Sequence, residues 1–399
     1  MLYLILGEIL RAGENFISVA LILIIALAMA GYVLHLPEAK FEKVNLRLKF
    51  QYDYVVEAYK PKWLSSGDVG SYPSSYFISD VPWISHNKSY CAAICLQMVA
   101  YKYGIKEPIE YFSFIMGFTY GAYLGTFNKR VYMIPGGDPF VGYVNASRIL
   151  NFKYNLLVTS NRRLFVDACR YFISKNIPVI LPVNMSRLYN LSFFTPHFEL
   201  LIGYDGDEFY LYEPVQSKCI FEFGKRGYEF PVDLVVKAVE DMSAAYNLPW
   251  KYSLIYFVKI GEPSKDLRKI LAVNGKLQVG RNFTLDSSSM YFGSYALKVL
   301  ADYISKGKMG INDMIWSIML AYTSRIDNAK FLKERFSDDK LVLEAAEYLA
   351  KAANIYGRII ELAVDGVSTE DEKEIISLLK EASVYERRAG ILMIEAGSK

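Results

Sequence analysis

The stretch from Val81 to Gly104, VPWISHNKSYCAAICLQMVAYKYG, decides the fold. Between Tyr90 and Tyr103 its apolar side chains recur at the three- and four-residue spacing of a helix, and Gly104 provides a stop. The pattern predicts a helix that begins near Cys91. A cysteine in the first turn of a helix lies beside unpaired backbone N–H groups and the positive end of the helix dipole, which favour the thiolate.

Cys91 is therefore the candidate nucleophile, although a cysteine in an apolar helix is more commonly a small core residue. Cys95 lies one turn later on the apolar face, and Cys169 and Cys219 have no basic or helix-start context, so we interpret these three as structural. The four cysteines lack the short paired spacing of a zinc site, and the chain has only three histidines. The sequence thus predicts no metal centre and no cofactor.

Short apolar runs downstream of the helix predict an antiparallel sheet. PVILPV begins at Pro178, and HFELLI begins at His197 and leads through a Tyr-Asp-Gly-Asp turn signal into FYLY. SLIYFVKI, from Ser253 to Ile260, would add a closing strand. A helix followed by an antiparallel sheet is an α+β arrangement.

His197 and Glu213 stand at the two ends of this predicted hairpin. The start of one antiparallel strand lies opposite the end of its partner, so the two side chains would adjoin. A carboxylate there would orient the imidazole and stabilise its charged form, as in a set of nucleophile, base and orienting acid. A lone histidine on a strand is more commonly structural, and Glu213 is what favours a catalytic interpretation.

An apolar segment near the N-terminus predicts a membrane anchor. Phe16 to Leu34 is apolar almost without break, and a helix of that length covers the roughly 30 Å hydrocarbon core. We expect residues 1–37 to contain a transmembrane helix that contacts the bilayer through residues 16–36, and residues 38–75 to form a polar stem. A cleaved signal peptide and a buried core helix are the alternatives.

The side of the membrane stays open. Basic residues after the apolar segment favour a cytoplasmic location. The following N-x-S/T sequons would suit the opposite face: Asn87, Asn145, Asn184, Asn190 and Asn282.

The rest of the chain divides into two predicted domains. We place a cysteine-containing α+β domain at 76–260, a linker at 261–283 and a small all-α domain at 284–399, where apolar residues recur at helical spacing. The charges nearly cancel, at a net +3, and form no basic block. A nucleic-acid partner is therefore not expected.

Three stretches together carry a resemblance: Val81–Gly104, NIPVILPVN, and PHFELLIGYDGDEFYLYEP. They resemble papain-fold proteins of the double-glycine, bacteriocin-processing peptidase group, and within it the butirosin biosynthesis protein H N-terminal family. Phe292 to Glu395 is similar to the helical second domain of that family, notably at Arg325–Leu332 and at Tyr385-Glu386. The resemblance implies a papain-like α+β fold with a nucleophile at Cys91, a base at His197 and an acidic orienter at Glu213, where the group usually has Asp.

This chain departs from the papain-like pattern upstream of the cysteine. That pattern has a glutamine there that helps to hold the oxyanion, and here Ser85, His86 and Asn87 occupy the region. His86 and Asn87 are the candidate donors, and losing a good oxyanion donor costs on the order of a hundredfold in rate.

The resemblance implies an acyltransferase that carries a thioester on Cys91 and passes the acyl group, from a donor that a carrier protein could hold, to an amine. Two alternatives stay open. One is a thiol peptidase or amidase, in which a peptide is the substrate and water is the acceptor. The other is a catalytically inactive papain-fold module that binds a partner, which the missing glutamine favours.

Overall fold

The computed structural model describes Ala58 and residues 60–127, 130–191, 195–215, 227–245, 248–280, 282–285, 288–364 and 366–399. The predicted transmembrane helix, most of the predicted stem and Cys219 lie outside these residues. Among the helices that are described, none has the length and apolar character needed to cross a membrane.

The strands and helices are numbered in chain order. The strands are β1 (Lys62–Trp63), β2 (Ser75–Phe77), β3 (Ala122–Phe127), β4 (Arg130–Pro135), β5 (Phe152–Thr159), β6 (Val179–Asn184), β7 (Pro196–Asp205), β8 (Glu208–Tyr212), β9 (Tyr228–Pro231), β10 (Tyr252–Lys259), β11 (Asn282–Leu285) and β12 (Ser288–Phe292). The helices are α1 (Cys91–Lys102), α2 (Ile109–Met116), α3 (Pro139–Leu150), α4 (Arg162–Ser174), α5 (Met185–Tyr189), α6 (Val232–Ala245), α7 (Arg268–Val279), α8 (Ser294–Ser305), α9 (Ile311–Arg335), α10 (Lys340–Val364) and α11 (Thr369–Gly397).

The described residues divide into two compact units, each formed by two separate stretches of chain. The first contains the described residues up to Phe112 together with Pro139–Ser264, and the second contains Ser113–Asp138 together with Lys265–Lys399. These boundaries differ from the predicted domains at 76–260 and 284–399. The stretch Ser113–Asp138 belongs to the second unit, and the predicted linker at 261–283 contains helix α7.

The first unit is built on a sheet of eight described strands. Seven follow the order β1-β5-β10-β6-β7-β8-β9, and β2 pairs with β7. Neighbours in this sheet are antiparallel except β1 and β5. The predicted helix falls on α1, and the four predicted strands fall on β6, β7, β8 and β10.

Helices cover the sheet where its strands are most apolar. Helix α1 packs against β7, α3 against β5, and α6 against β6. All six residues of β6 are buried, which agrees with its nearly unbroken apolar sequence, because a strand covered on both faces cannot alternate polar and apolar side chains. The start of α1 and the start of β7 are thereby brought to one region.

The second unit packs helices α7 to α11 with a small sheet. Its described strands follow the order β11-β12-β3-β4. Ala122 and Leu124 of β3 and Met133 of β4 belong to the same apolar core as Leu297 of α8. The prediction of an all-α domain is therefore wrong in this respect, because two hairpins contribute to the fold.

Candidate active site

Cys91 is the first residue of α1 and carries a free, partly exposed thiol. The free thiols of Cys95 and Cys169 are fully buried, and burial raises the pKa of each. Cys91 is thus the accessible thiol among these three, and it lies at the helix start that the sequence predicts.

His197, the second residue of β7, is the candidate base for the Cys91 thiol. Its imidazole is 5% exposed, and its Nε2 lies 2.9 Å and 3.0 Å from the two carboxylate oxygens of Glu213. Glu213 follows the last residue of β8, so the hairpin returns it to the beginning of β7. The structure therefore places these two side chains together. A register shift between Leu201 and Gly203 pairs Leu200 with Tyr212, so Glu213 comes onto the face of β7 that carries His197.

The charge state of His197 depends on its two neighbours. Burial acts to lower the pKa of the imidazole, but the negative charge of Glu213 and the adjacent Cys91 thiol raise this pKa well above its ordinary value, and hydrogen bonds to both groups act in the same direction. Because Nε2 is bonded to Glu213, Nδ1 is the ring nitrogen available to the thiol. Cys91, His197 and Glu213 thus form one interacting set.

Several groups support the Glu213 carboxyl, which is fully buried. The backbone N–H of Val215 donates to Oε1 at 2.6 Å, and the Tyr189 hydroxyl donates to Oε2 at 3.4 Å. The indole Nε1–H of Trp83 donates to the Glu213 carbonyl at 3.0 Å. With His197, the Val215 and Tyr189 donors fix the position of the carboxyl group, and the Trp83 bond holds the backbone of the same residue.

The oxyanion candidates are less favourably placed. His86 is half-buried, and its Nε2 lies 3.2 Å from Oε1 of Gln97. The amide nitrogen of Gln97 donates to the Glu107 carbonyl at 3.0 Å, so its Oε1 is the acceptor and His86 Nε2–H the donor. His86 would have only Nδ1 left for an oxyanion, and Nδ1 donates only when the ring is protonated. The side chain of Asn87 is exposed.

Glu199 is a member of the site that sequence reasoning missed. It is fully buried, and neither carboxyl oxygen has a hydrogen bond of ordinary geometry. Burial, and then the charge of Glu213, raise its pKa well above the ordinary value. The available signal was a glutamate within the apolar run HFELLI, two residues after His197 and therefore on the same face of the strand.

These residues include the donor types of a cation site. One ring nitrogen of His197 and one carboxylate oxygen each of Glu199 and Glu213 lie within 4.8 Å of one another. Imidazole and carboxylate ligands suit a zinc ion. In the structure, however, His197 and Glu213 are hydrogen-bonded to each other, so a cation would first have to displace the proton between them.

Comparisons with known proteins found only weak structural similarity. No family model matches the chain, and no curated protein matches it. A solved structure from Bacillus anthracis, described as a C39-like peptidase, aligns with a TM-score of 0.32 and 14% identity over 48% of this chain and 100% of that chain. Nothing in these comparisons supports the narrower resemblance to the butirosin family.

Proposed function

We propose that this chain is a cysteine-dependent acyltransferase, in which Cys91 accepts an acyl group as a thioester and an amine then takes it. The observation that carries the proposal is the interacting set of an accessible thiol at a helix start, an imidazole beside it, and a buried carboxylate on the far nitrogen of that imidazole. Structural cysteines need no such arrangement.

The residues support the following steps. Nδ1 of His197 takes the Sγ proton of Cys91, and the thiolate attacks the acyl carbonyl carbon. The imidazolium then gives its proton to the leaving group, and a thioester remains. In the second half-reaction His197 takes a proton from the attacking amine, the Cys91 sulfur leaves, and the thiol is restored. Glu213 stabilises the imidazolium in both halves.

Hydrolysis is the runner-up, because a peptidase or amidase uses the same first half-reaction with water as acceptor. The engaged Nε2 of His86 favours a third candidate, a module without catalysis, because an unsupported oxyanion weakens acyl transfer. A carrier-bound or peptide acyl donor and the attachment to a bilayer through residues 16–36 are further parts of the proposal, which rest on the sequence alone.

Thiol alkylation tests whether Cys91 is activated. Iodoacetamide at neutral pH should label the wild-type protein much faster than Cys91→Ser. Cys169→Ser is the matched control, because its thiol is fully buried, and it should label like the wild type. Equal labelling of wild type and Cys91→Ser would remove both enzyme proposals and leave the binding module.

A model acyl donor separates transfer from hydrolysis. p-Nitrophenyl acetate should acetylate Cys91, and the acetyl-enzyme should decay faster when glycinamide is added, with N-acetylglycinamide as the product. Decay to acetate at a rate independent of glycinamide would favour the hydrolase instead.

A further inference from the structure

Glu199 has a buried carboxyl that the steps above do not use. The side chain is 0% exposed, and neither of its oxygens has a hydrogen bond of ordinary geometry. An ionised carboxylate without donors is strongly disfavoured in a protein interior, so such a group is neutral or has a partner. The sequence alternation of β7 places Glu199 on the same face as His197, towards the site.

Titratable groups face Glu199 from several elements. They are His197 on β7, Glu213 after β8, Tyr189 on α5, Cys95 on α1 and Tyr228 on β9. Glu213 is the other carboxyl in this group, and two carboxylates that share a buried site cannot both be ionised at low cost.

The hydrogen bonds decide which carboxyl holds the proton. Glu213 accepts from the Val215 backbone at 2.6 Å and from His197 at 2.9 Å, and such donors stabilise the anion. For Glu199 no hydrogen bond of ordinary geometry is found, and the nearby Tyr189 hydroxyl and the charge of His197 only partly offset the effect of burial on its pKa. The proton therefore belongs on Glu199, whose O–H can then donate to its neighbour.

We propose that Glu199 is a neutral carboxylic acid that donates a hydrogen bond to the Glu213 carboxylate and acts as a positioning residue for His197. The carboxyl pair extends the interacting set to four members, in the order Cys91, His197, Glu213 and Glu199. The pair itself does not depend on catalysis, whereas its positioning role rests on the proposed function. By holding the proton, Glu199 keeps a second negative charge out of the site and fixes the carboxylate that orients the imidazole.

Infrared spectroscopy of the full chain tests the carboxyl pair. The wild type at neutral pH should show a C=O band of a protonated carboxylic acid that is absent in Glu199→Gln. Glu110→Gln is the control, because Glu110 is paired with Lys88 at 2.8 Å, which holds the pKa of Glu110 below its usual value, and this variant should keep the band. The same band in wild type and Glu199→Gln would overturn the proposal.

Glu213→Gln tests whether the two carboxyls share the proton. Removing the charge of Glu213 should make Glu199 ionise more easily, so the acid band should disappear at a lower pH than in the wild type. An unchanged pH midpoint would show that Glu199 is neutral through burial alone, and would overturn the pairing.

The rate of Cys91 alkylation by iodoacetamide tests the positioning role. Glu199→Ala should lower the rate about tenfold, and Glu199→Gln, whose amide keeps a donor, should restore most of the loss. Circular dichroism identifies any variant that fails to fold, and the comparison is then made with the folded Glu199→Gln protein. Equal rates in all three proteins, or equal losses in both variants, would overturn the role. If Cys91 of the wild type is not alkylated selectively, the proposed function is wrong. The infrared result would still show whether Glu199 and Glu213 share a proton.

Discussion

The imidazole of His197 is balanced between burial, which disfavours its charge, and Glu213, which favours it. Because the pKa is raised, we expect the apparent NMR titration midpoint of His197 to lie above the ordinary value of about 6.5. Glu213→Gln should lower this midpoint, by about one pH unit or more, because the facing charge is lost. A midpoint unaffected by Glu213→Gln would contradict the pairing of these residues.

Glu199 should make the stability of the protein depend on pH. A carboxyl whose pKa is higher in the folded state than in the unfolded state holds extra protons when folded, so stability is greatest below the unfolded pKa of about 4.3 and falls as the pH rises towards the folded pKa. Glu199→Gln removes this dependence. Relative to the wild type, the variant should gain unfolding free energy between pH 5 and 8, by at most about 1.4 kcal/mol per pH unit. Urea titrations at several pH values would measure the gain, and a constant difference would contradict the prediction.

The sequence predicted the main pair of the site but not its fourth member. The adjacency of His197 and Glu213 lies within one hairpin, but its turn alone does not set it. A register shift between Leu201 and Gly203 brings Glu213 onto the face of β7 that carries His197. Glu199 lies in a run that reads as a core strand, and its charge state depends on groups from α5, β8 and β9 that only the folded chain brings near. The engagement of His86 with Gln97 likewise depends on the loop before α1, which carries no periodic pattern.

Helices α9 and α11 are joined through a buried ion pair. Nε of Arg325 lies 2.7 Å from Oε1 of Glu386, and the remaining guanidinium nitrogens donate to the carbonyls of Thr119 and Gly121, both at 2.7 Å. The Tyr356 hydroxyl on α10 also donates to Glu386, at 2.8 Å. Four segments of the second unit therefore meet at one charged group.

Glu386→Gln should destabilise the protein because it leaves the guanidinium of Arg325 buried without a counter-charge. We expect a loss of about 3–5 kcal/mol in unfolding free energy. Glu374→Gln is the matched control, since the pair of Glu374 with Arg358 is about half-exposed, with Nε to Oε1 at 3.2 Å, and should contribute less than about 1 kcal/mol. Chemical denaturation of both variants measures the difference, and similar small losses would show that the buried charge is stabilised in another way.

The elements that the sequence predicted are those whose pattern is local. Strands β6 and β10 are found within one residue of their predicted ends, because apolar runs bounded by turns define them. The sequence predicts a linker where helix α7 lies, because polar residues occupy some of the buried positions of this helix. Asn274 donates to the Phe114 carbonyl at 2.9 Å, and Oε1 of Gln278 accepts from the Gly121 backbone N–H at 2.7 Å, so hydrogen bonds replace the expected apolar face.

At the scale of the whole molecule, the second unit takes its core from distant parts of the chain. Strand β12 pairs with β3, so Met290 lies opposite Gly125. No local sequence pattern indicates such a pairing, which explains why the predicted boundary at residue 284 leaves out both the β3–β4 hairpin and α7. The unit is therefore not a simple C-terminal piece of the chain.

Fragments test this boundary directly. A fragment of residues 284–399 lacks α7, which packs along α11, and also lacks Ala122, Leu124 and Met133 of the core. We expect it to be helical but to melt without a cooperative transition, because its apolar faces have lost their partners. Residues 113–138 joined by a Gly/Ser linker to 265–399 should melt cooperatively, because this chain contains both stretches that form the unit. Circular dichroism against temperature compares the two. Cooperative melting of 284–399 at the same temperature as the longer fragment would show that the helices alone suffice, and that the hairpin and α7 only cover a core that is already complete.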